Sequence, residues 1–418
     1  MDFQLPQEIT AKLAELDAFI ETQIKPLERE HMQFFDHRRE YARTDWANDG
    51  RPQPAWRALI EEMERRADKA GHLRLGLPKS CGGQAAPNLM IAAIREHLAG
   101  KGLGLHNDLQ DESSIVGNFP IIPVLAAYGT PEQKLYIEGI ISGRRHLSFA
   151  LTEPGHGSDA TWLETTGRRD GDHWVIDGMK RWNSQVARAH GNLVFARTSG
   201  KPGDGRGITA FIVPTDAPGH KILYNHWTFN MPSDHAEVEL KGVRVPDSAI
   251  LHKEGEGLMV AQRFVHENRI RQAAASAGAA RYCITEAAKY AKSRLVFGEP
   301  LSKKQAIQFP LVELYAECEM VRNFIFKTAW QMDRQDPLEI SDWVSICNFR
   351  ANRLCCEAAD RAMQVHGGIG CSRALPFEHI YRHHRRYRIT EGSEEVQMRR
   401  VAQYLFGFSG KKATSGAQ

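Results

Sequence analysis

Phe149-Ala150-Leu151-Thr152-Glu153-Pro154-Gly155-His156-Gly157-Ser158-Asp159 is the stretch on which the fold turns. Gly155, Gly157 and Ala160 match G-x-G-x-x-A, the form of a dinucleotide fingerprint. That fingerprint works only where a strand leads into a helix whose N-terminus meets a pyrophosphate. Here Thr161 to Arg169 is Thr-rich and runs into a hairpin signal, Asp170-Gly171-Asp172, so a Rossmann sheet is rejected. What remains is a loop of hydroxyls, two flexible glycines and backbone N–H groups, suited to a flat polar ligand. Taken alone, it reads as a structural turn before it reads as a binding loop.

On the C-terminal side of this loop the pattern is β. His173 to Asp177 follow the turn, and Asp177-Gly178 is a second hairpin signal. Leu193 to Thr198, Ile208 to Pro214, Ala236 to Leu240 and Val243 to Pro246 are short and rich in β-branched residues. They predict a compact antiparallel β domain over residues 148–250. On the N-terminal side, residues 1–147 read as helical, with stripes at Ile9, Leu13, Leu16, Phe19, Ile20 and at Trp56, Leu59, Ile60, Met63. Arg43 to Gln53 and Leu75 to Pro87 read as loops, and Thr130-Pro131 as a capped helix start. Residues 251–408 return to long helices, one opened by Pro310, another ended by Gly367-Gly368. Their apolar stripes read as the core of a four-helix-bundle-like domain, followed by a frayed tail, 409–418. The expected class is α+β, in the order helical, β, helical.

A chain of 418 residues with 42% hydrophobic and 25% charged residues is an ordinary globular composition. Its net charge of +3, without a Lys/Arg block, argues against nucleic acid as a partner. Apolar runs such as Ile121 to Ala127 are too short to span a bilayer, and Met1-Asp2-Phe3-Gln4 lacks the pattern of a signal peptide. Seven cysteines without CxxC spacing suggest neither a disulfide framework nor a zinc site, and cytoplasm is the expected compartment.

Thr152-Glu153-Pro154-Gly-x-Gly-Ser158-Asp159 resembles the signature of the acyl-CoA dehydrogenase family, whose fold is helical, β, helical. Four further stretches agree in order and spacing, so the resemblance spans about residues 70–405. Lys180-Arg181-Trp182-Asn183-Ser184 resembles the family's Lys-x-Trp-Ile-Thr, and Arg294-Leu-Val-Phe297-Gly298 its Arg-x-x-Phe-Gly. Gln364-Val-His-Gly367-Gly368 resembles Gln-x-x-Gly-Gly, and Glu391-Gly392-Ser393-x-Glu395 resembles Glu-Gly-Thr-x-Glu/Gln. The resemblance implies FAD as cofactor, with Phe149, Leu151, Thr152, Ser158, Trp182 and Ser184 around the flavin. It places Arg294, Phe297, Gln305, Gln364, Gly368, Ser393 and Glu395 on the rest of FAD, Gln364 reaching that of a neighbouring subunit. Without the other motifs, Trp182 and Phe297 read as core and Arg294 as a solvated charge.

The implied reaction is α,β-dehydrogenation of an acyl-CoA to trans-2-enoyl-CoA, with Glu391 as the α-proton base. A lone exposed carboxylate is a weak base, so burial must raise its proton affinity. In the family the thioester oxygen is held by a ribityl hydroxyl and the N–H of the catalytic Glu, an oxyanion-hole arrangement. Gly392 fits the bend that brings side chain and backbone to the ligand; Ser158, Arg269, Thr390 and Gly392 are the implied substrate contacts. An electron-transfer flavoprotein is the implied electron acceptor and a homotetramer or homodimer the implied assembly. An acyl-CoA oxidase on the same fold stands as the alternative, and more distantly a relative acting on a non-thioester or binding a macromolecule.

Several residues depart from the family pattern. Thr390 stands where many relatives carry Tyr, and Asn268 stands where some place the base, a role Asn cannot fill. His266 replaces a frequent acidic residue, and Asn230-Met231-Pro232-Ser233-Asp234-His235 differs from the usual Met-Gly-x-Arg. The basic run His379, Arg382, His383, His384, Arg385, Arg386, Arg388 reads as a solvated or subunit-interface face, with CoA phosphates as the alternative and no metal set.

Overall fold

The computed structural model describes residues 4–110 and 112–408; the expected tail, 409–418, lies outside them. Helices α1 (Gln7–Phe19), α2 (Pro54–Lys69), α3 (Asn88–Ala99) and α4 (Ile121–Tyr128) come first. Strands β1 (Leu147–Ala150), β2 (Thr166–Asp170), β3 (His173–Ser184), β4 (Gly191–Arg197), β5 (Ile208–Pro214), β6 (His220–Asn225) and β7 (His235–Pro246) follow. Helices α5 (Gly257–Ser293), α6 (Gln305–Met332), α7 (Ser341–His366), α8 (Phe377–Tyr387) and α9 (Glu394–Leu405) complete the chain. Among the described residues no helix is long and apolar enough to cross a membrane.

The N-terminal stripes bury as their spacing requires. Trp56, Leu59, Ile60 and Met63 of α2 meet Leu16 and Phe19 of α1 in one core, each such side chain contributing about 1.5–3 kcal/mol. Thr130 caps its helix reciprocally with Gln133, the Gln133 N–H donating to Thr130 Oγ1 and the Thr130 N–H to Gln133 Oε1. The Arg43–Gln53 segment is more ordered than a loop, because Thr44–Asp45 pairs with Arg51–Pro52 as a short ribbon.

The seven strands form one sheet in the order β1-β4-β2-β3-β7-β6, with β5 also on β4. Four ladders are antiparallel, as expected, but β1 runs parallel to β4, Leu147 facing Gly191 and Ala150 facing Val194. The intervening β2–β3 hairpin is long enough to act as the crossover that parallel pairing needs. The hairpin expected at Asp177-Gly178 does not form; β3 continues through it with a bulge. Gly178 has φ 154 and a Cβ there would stand 2.4 Å from Thr165 Oγ1, so a bulge and a close approach, not a turn, require glycine. The two strands read at Ala236 to Leu240 and Val243 to Pro246 are one, β7.

In the C-terminal bundle, α6 starts at Gln305 and Pro310 lies inside it rather than opening it. Proline there forfeits a helical hydrogen bond; burial of Leu311, Leu314, Cys318, Val321 and Ile325 offsets that cost. Alanines dominate where α5 and α7 pack, among them Ala273, Ala277, Ala280, Ala351, Ala358 and Ala362. Small side chains bring the two axes close, and Arg269 of α5 and Asn348 of α7 are thereby within hydrogen-bonding distance.

Candidate active site

The centre of the site is the turn between α8 and α9. Glu391 at φ 57 and Gly392 at φ 86 are consecutive left-handed residues. A Cβ on residue 392 would lie 2.8 Å from Arg269 Nη2, and the positive φ itself favours glycine there. Arg269 donates from Nε and Nη2 to the Glu391 carbonyl oxygen at 2.9 and 2.7 Å. Asn268 Nδ2 donates to Glu391 Oε1 at 3.2 Å. Gln397 Nε2 donates to the Gly392 carbonyl at 2.8 Å and to Asn348 Oδ1 at 3.0 Å. Asn348 Nδ2 returns to the Arg269 carbonyl at 2.9 Å, while Asn352 Nδ2 donates to Asn348 Oδ1 and the Tyr387 carbonyl. Asn348, Asn352 and Gln397 are fully buried, so this network braces both limbs of the turn in a low-dielectric interior.

Glu391 itself is half-buried. Desolvation there is the main cause that raises its pKa to about 7; the Glu112 carboxylate adds to it, and Arg269, Asn268 and Arg386 oppose it. A base poised near neutrality is what abstraction of a weakly acidic proton asks for. Thr390 beside it is exposed, and Ser393 occupies the N-cap position of α9 with Glu395 exposed in its first turn. Glu394, which the sequence did not single out, is paired with Arg388 at 3.0 Å and Arg353 at 2.9 Å and ties α9 to α7.

The Thr152-Glu153-Pro154-Gly155 loop is fixed by a residue pair that the sequence reading missed. Lys180 Nζ and Glu153 Oε1 are 2.7 Å apart with side-chain exposures of 0% and 3%, and Lys180 also donates to the Leu151 carbonyl. Glu153 further accepts from the N–H groups of Glu164 and Thr165. No long helix follows Ser158, only the short turn Ala160–Trp162, in line with the rejected Rossmann reading. Between Lys180 and Asn183 the β3–β7 register slips, and this bulge turns Trp182 out of the sheet at φ 64 and 47% exposure. Trp182 is therefore not core; its ring lies 4.3 Å from that of His226. Ser184 Oγ is exposed and hydrogen-bonded to His235 Nδ1 at 2.7 Å. Phe149, at the end of β1, stacks on Phe264 of α5 at 4.3 Å and 12°, one helical turn from Asn268. The end of β1 and the Glu391 turn thus both contact α5 within one helical turn, at Phe264 and at Asn268–Arg269.

The remaining candidates gather elsewhere. Arg294 ends α5, Gln305 begins α6, and Gln364 with Gly368 lies at the C-terminal end of α7. Tyr290 stacks on His366 at 4.2 Å and joins these helix ends. All four are exposed, and Phe297, at φ 50, is 99% exposed, so it too is not core. Glu394 contacts Arg353, eleven residues before Gln364, so the two groups are separated by roughly 16 Å along α7. The basic run also divides. His379, His383 and His384 are buried and kept neutral by burial, which corrects the expected solvated face; the helix is amphipathic and its histidine side packs inward.

The acyl-CoA dehydrogenase middle domain matches residues 148–243 and the acyl-CoA dehydrogenase C-terminal domain matches residues 255–406. A 3-(aryl)acrylate reductase of Clostridium sporogenes is 32% identical over 82% of this chain and 90% of its own. The caffeyl-CoA reductase-Etf complex subunit CarC of Acetobacterium woodii is 30% identical over 81% of this chain and 87% of its own. The crystal structure of acyl-CoA dehydrogenase from Geobacillus kaustophilus superposes with a TM-score of 0.77 at 26% identity, covering 97% of this chain and 100% of that one. The fold and site define a flavoprotein oxidoreductase. The chain belongs to the acyl-CoA dehydrogenase family.

Proposed function

We propose that this enzyme catalyses α,β-dehydrogenation of an acyl-CoA thioester to the trans-2-enoyl-CoA, with Glu391 as the α-proton base. The observation that carries this reading is the Glu391 carboxyl, braced on its turn by Asn268 and Arg269 and raised to about 7 by burial. Its protonation can change at neutral pH, so it can take a proton from Cα and later release it. The Glu391 N–H donates to no protein group among the described residues, which leaves it for the thioester oxygen, where it would acidify that proton.

The groups present fit FAD. Trp182 and Phe297 offer exposed aromatic faces, Thr152, Ser158 and Ser184 offer hydroxyls, and Cβ positions at Gly155 and Gly368 would face open space. Phe149, Leu151, Thr152, Ser158, Trp182 and Ser184 would hold the flavin end, and Arg294, Phe297, Gln305, Gln364, Gly368, Ser393 and Glu395 the remainder. The acceptor chemistry for the β hydride is that of the flavin; the chain's part is to orient it and exclude water. Arg269, Thr390, Ser158 and Gly392 are the substrate contacts of this reading, Arg269 acting through the Glu391 carbonyl.

We further propose a homodimer or homotetramer, in keeping with exposed Phe309, Val312 and Met320 on α6. An electron-transfer flavoprotein partner is in keeping with the name of the Acetobacterium relative. A cytoplasmic setting suits seven free cysteines. Residues 1–147, 148–250 and 251–408 would be the three structural units. Two relatives named as reductases favour a second reading, the same site run toward saturation of an enoyl or aryl-acryloyl group with Glu391 as the acid. Anaerobic mixing of the yellow protein with a panel of acyl-CoAs tests the first reading: flavin bleaching is expected, and bleaching by none sinks it. Oxidation of the pre-reduced flavin by enoyl-CoAs, measured the same way, tests the second.

A further inference from the structure

Two residues that the reading above places on the flavin, Trp182 and Ser184, come from the bulged end of β3, and each is backed by a histidine. His226 follows β6 and His235 starts β7. The ring of Trp182 lies 4.3 Å from that of His226. His226 Nε2 is in turn held 2.9 Å from Glu237 Oε2, which Arg181 Nε also contacts at 2.8 Å. Ser184 Oγ lies 2.7 Å from His235 Nδ1. After the register slip between Lys180 and Asn183, Ser184 and His235 are directly opposed, so their side chains stand on one face of the ladder. The backbone is held as well. The Ser184 carbonyl accepts from Ser148 Oγ at 2.8 Å, and the Gln185 N–H donates to the Asp234 carbonyl at 2.8 Å. The His226 N–H donates to the His235 carbonyl at 2.9 Å, which ties the two histidines together. Neither takes part in the reaction proposed above.

A serine hydroxyl offers one hydrogen and its lone pairs, and His235 decides which of these stays free at Ser184. Burial pushes the His235 ring below the ordinary histidine value, so it is neutral and one ring nitrogen can accept. Asp234 Oδ1, at 3.6 Å, is beyond hydrogen-bond range of Nδ1 and holds no proton there. Arg386, Glu112 and His226 are the other charged or titratable groups that bear on the ring. Among the described residues, His235 Nδ1 is the one hydrogen-bond partner of Ser184 Oγ. The hydroxyl hydrogen is therefore spent on the imidazole, and the lone pairs are left for a ligand. Reduction turns flavin N5 from a hydrogen-bond acceptor into an N–H donor. A hydroxyl that can only accept matches the reduced ring and leaves the oxidised one without a donor.

We propose that His235 is a positioning residue that makes the Ser184 hydroxyl an acceptor and thereby raises the reduction potential of the bound flavin. This rests on Ser184 being a flavin contact, and the test separates the two. In the holoenzyme, with no acyl-CoA present, the flavin midpoint potential is measured by equilibrium reduction against a reference dye. His235→Leu should shift the oxidised–reduced equilibrium about tenfold toward the oxidised form, the scale of one hydrogen bond exchanged. That is a midpoint lowered by about 30 mV for a two-electron couple. Ser184→Ala should lower the midpoint as well, and adding His235→Leu to it should bring no further shift. A midpoint unchanged or raised in His235→Leu, or lowered as much when residue 184 is already alanine, overturns the proposal. Should His235→Leu not fold, His235→Val, a side chain suited to a strand, takes its place with the same expected and overturning results. A midpoint indifferent to Ser184→Ala would take Ser184 off the flavin and overturn the proposal with it. One that Ser184→Ala moves and the His235 variant does not overturns the role of His235 alone.

Discussion

The two halves of the candidate cofactor site are built differently. Around Glu391, the turn is braced by the chain's own network, with Arg269 and Asn268 on the glutamate and Gln397 and Asn348 behind it, and the Thr152–Gly155 loop by the buried Lys180–Glu153 pair. At the far end, Arg294, Gln305, Gln364 and Gly368 at helix ends and Phe297 in the turn between α5 and α6 face solvent. The difference teaches where precision is needed. Moving a proton demands a carboxyl fixed to fractions of an ångström, so its surroundings are completed within one chain. Holding the distant part of a long cofactor demands only matching contacts, which a ligand or a second chain can complete on binding.

The contrast can be broken most directly at Glu391. Glu391→Gln should bind FAD and ligand but slow flavin reduction roughly 10³–10⁴-fold in anaerobic stopped-flow; near-normal reduction would move the base elsewhere. In the unaltered enzyme kcat/KM should rise with pH through about 7, because the base must be ionised to accept a proton. Next in size is Lys180→Met, which strands Glu153 in the interior. Denaturant unfolding should show a loss of about 3–5 kcal/mol together with release of flavin; unchanged stability would deny the pair its bracing role. At the far end, Phe297→Ala with Gln364→Ala should leave unfolding of the flavin-free protein in place. Flavin retention on dialysis should nevertheless fall at least about tenfold, on the scale of a lost aromatic stack. If the far-end substitutions destabilise the fold as Lys180→Met does, the two regions do not differ as described.

The smallest effect concerns α9. Arg388 and Arg353 hold the Glu394 carboxyl down to about 2. Because the folded value lies below the ordinary one, the stabilisation is fully present above about pH 4.5 and is lost as pH falls toward 2. Glu394→Gln should remove that acid-limb dependence, worth about 1 kcal/mol for a part-exposed pair, in unfolding curves recorded across this range. An identical acid limb in the variant would assign it to other carboxylates.

Much of this was legible beforehand, for local reasons. Period and punctuation located the helical stripes, the Asp170-Gly171-Asp172 turn and most strands, because amphipathic spacing is written along the chain. Asp177-Gly178 misled because glycine serves turns and bulges alike. Trp182 misled in isolation because a bulge shifts the in–out alternation without a mark of its own. The Lys180–Glu153 pair had a faint signal, a glutamate inside a glycine-rich loop and a lysine entering a strand, but nothing along the chain says that the two meet.

By itself the sequence determined the helical, β, helical order and the placing of a glutamate before glycine between two helices. Hydrophobic periodicity and turn chemistry are short-range properties, and the motifs are short. Only the tertiary structure decided that Glu391 is held by Asn268 and Arg269 and that burial lifts its proton affinity. Proton affinity depends on the dielectric and charge within a few ångströms, and those neighbours come from positions more than a hundred residues away.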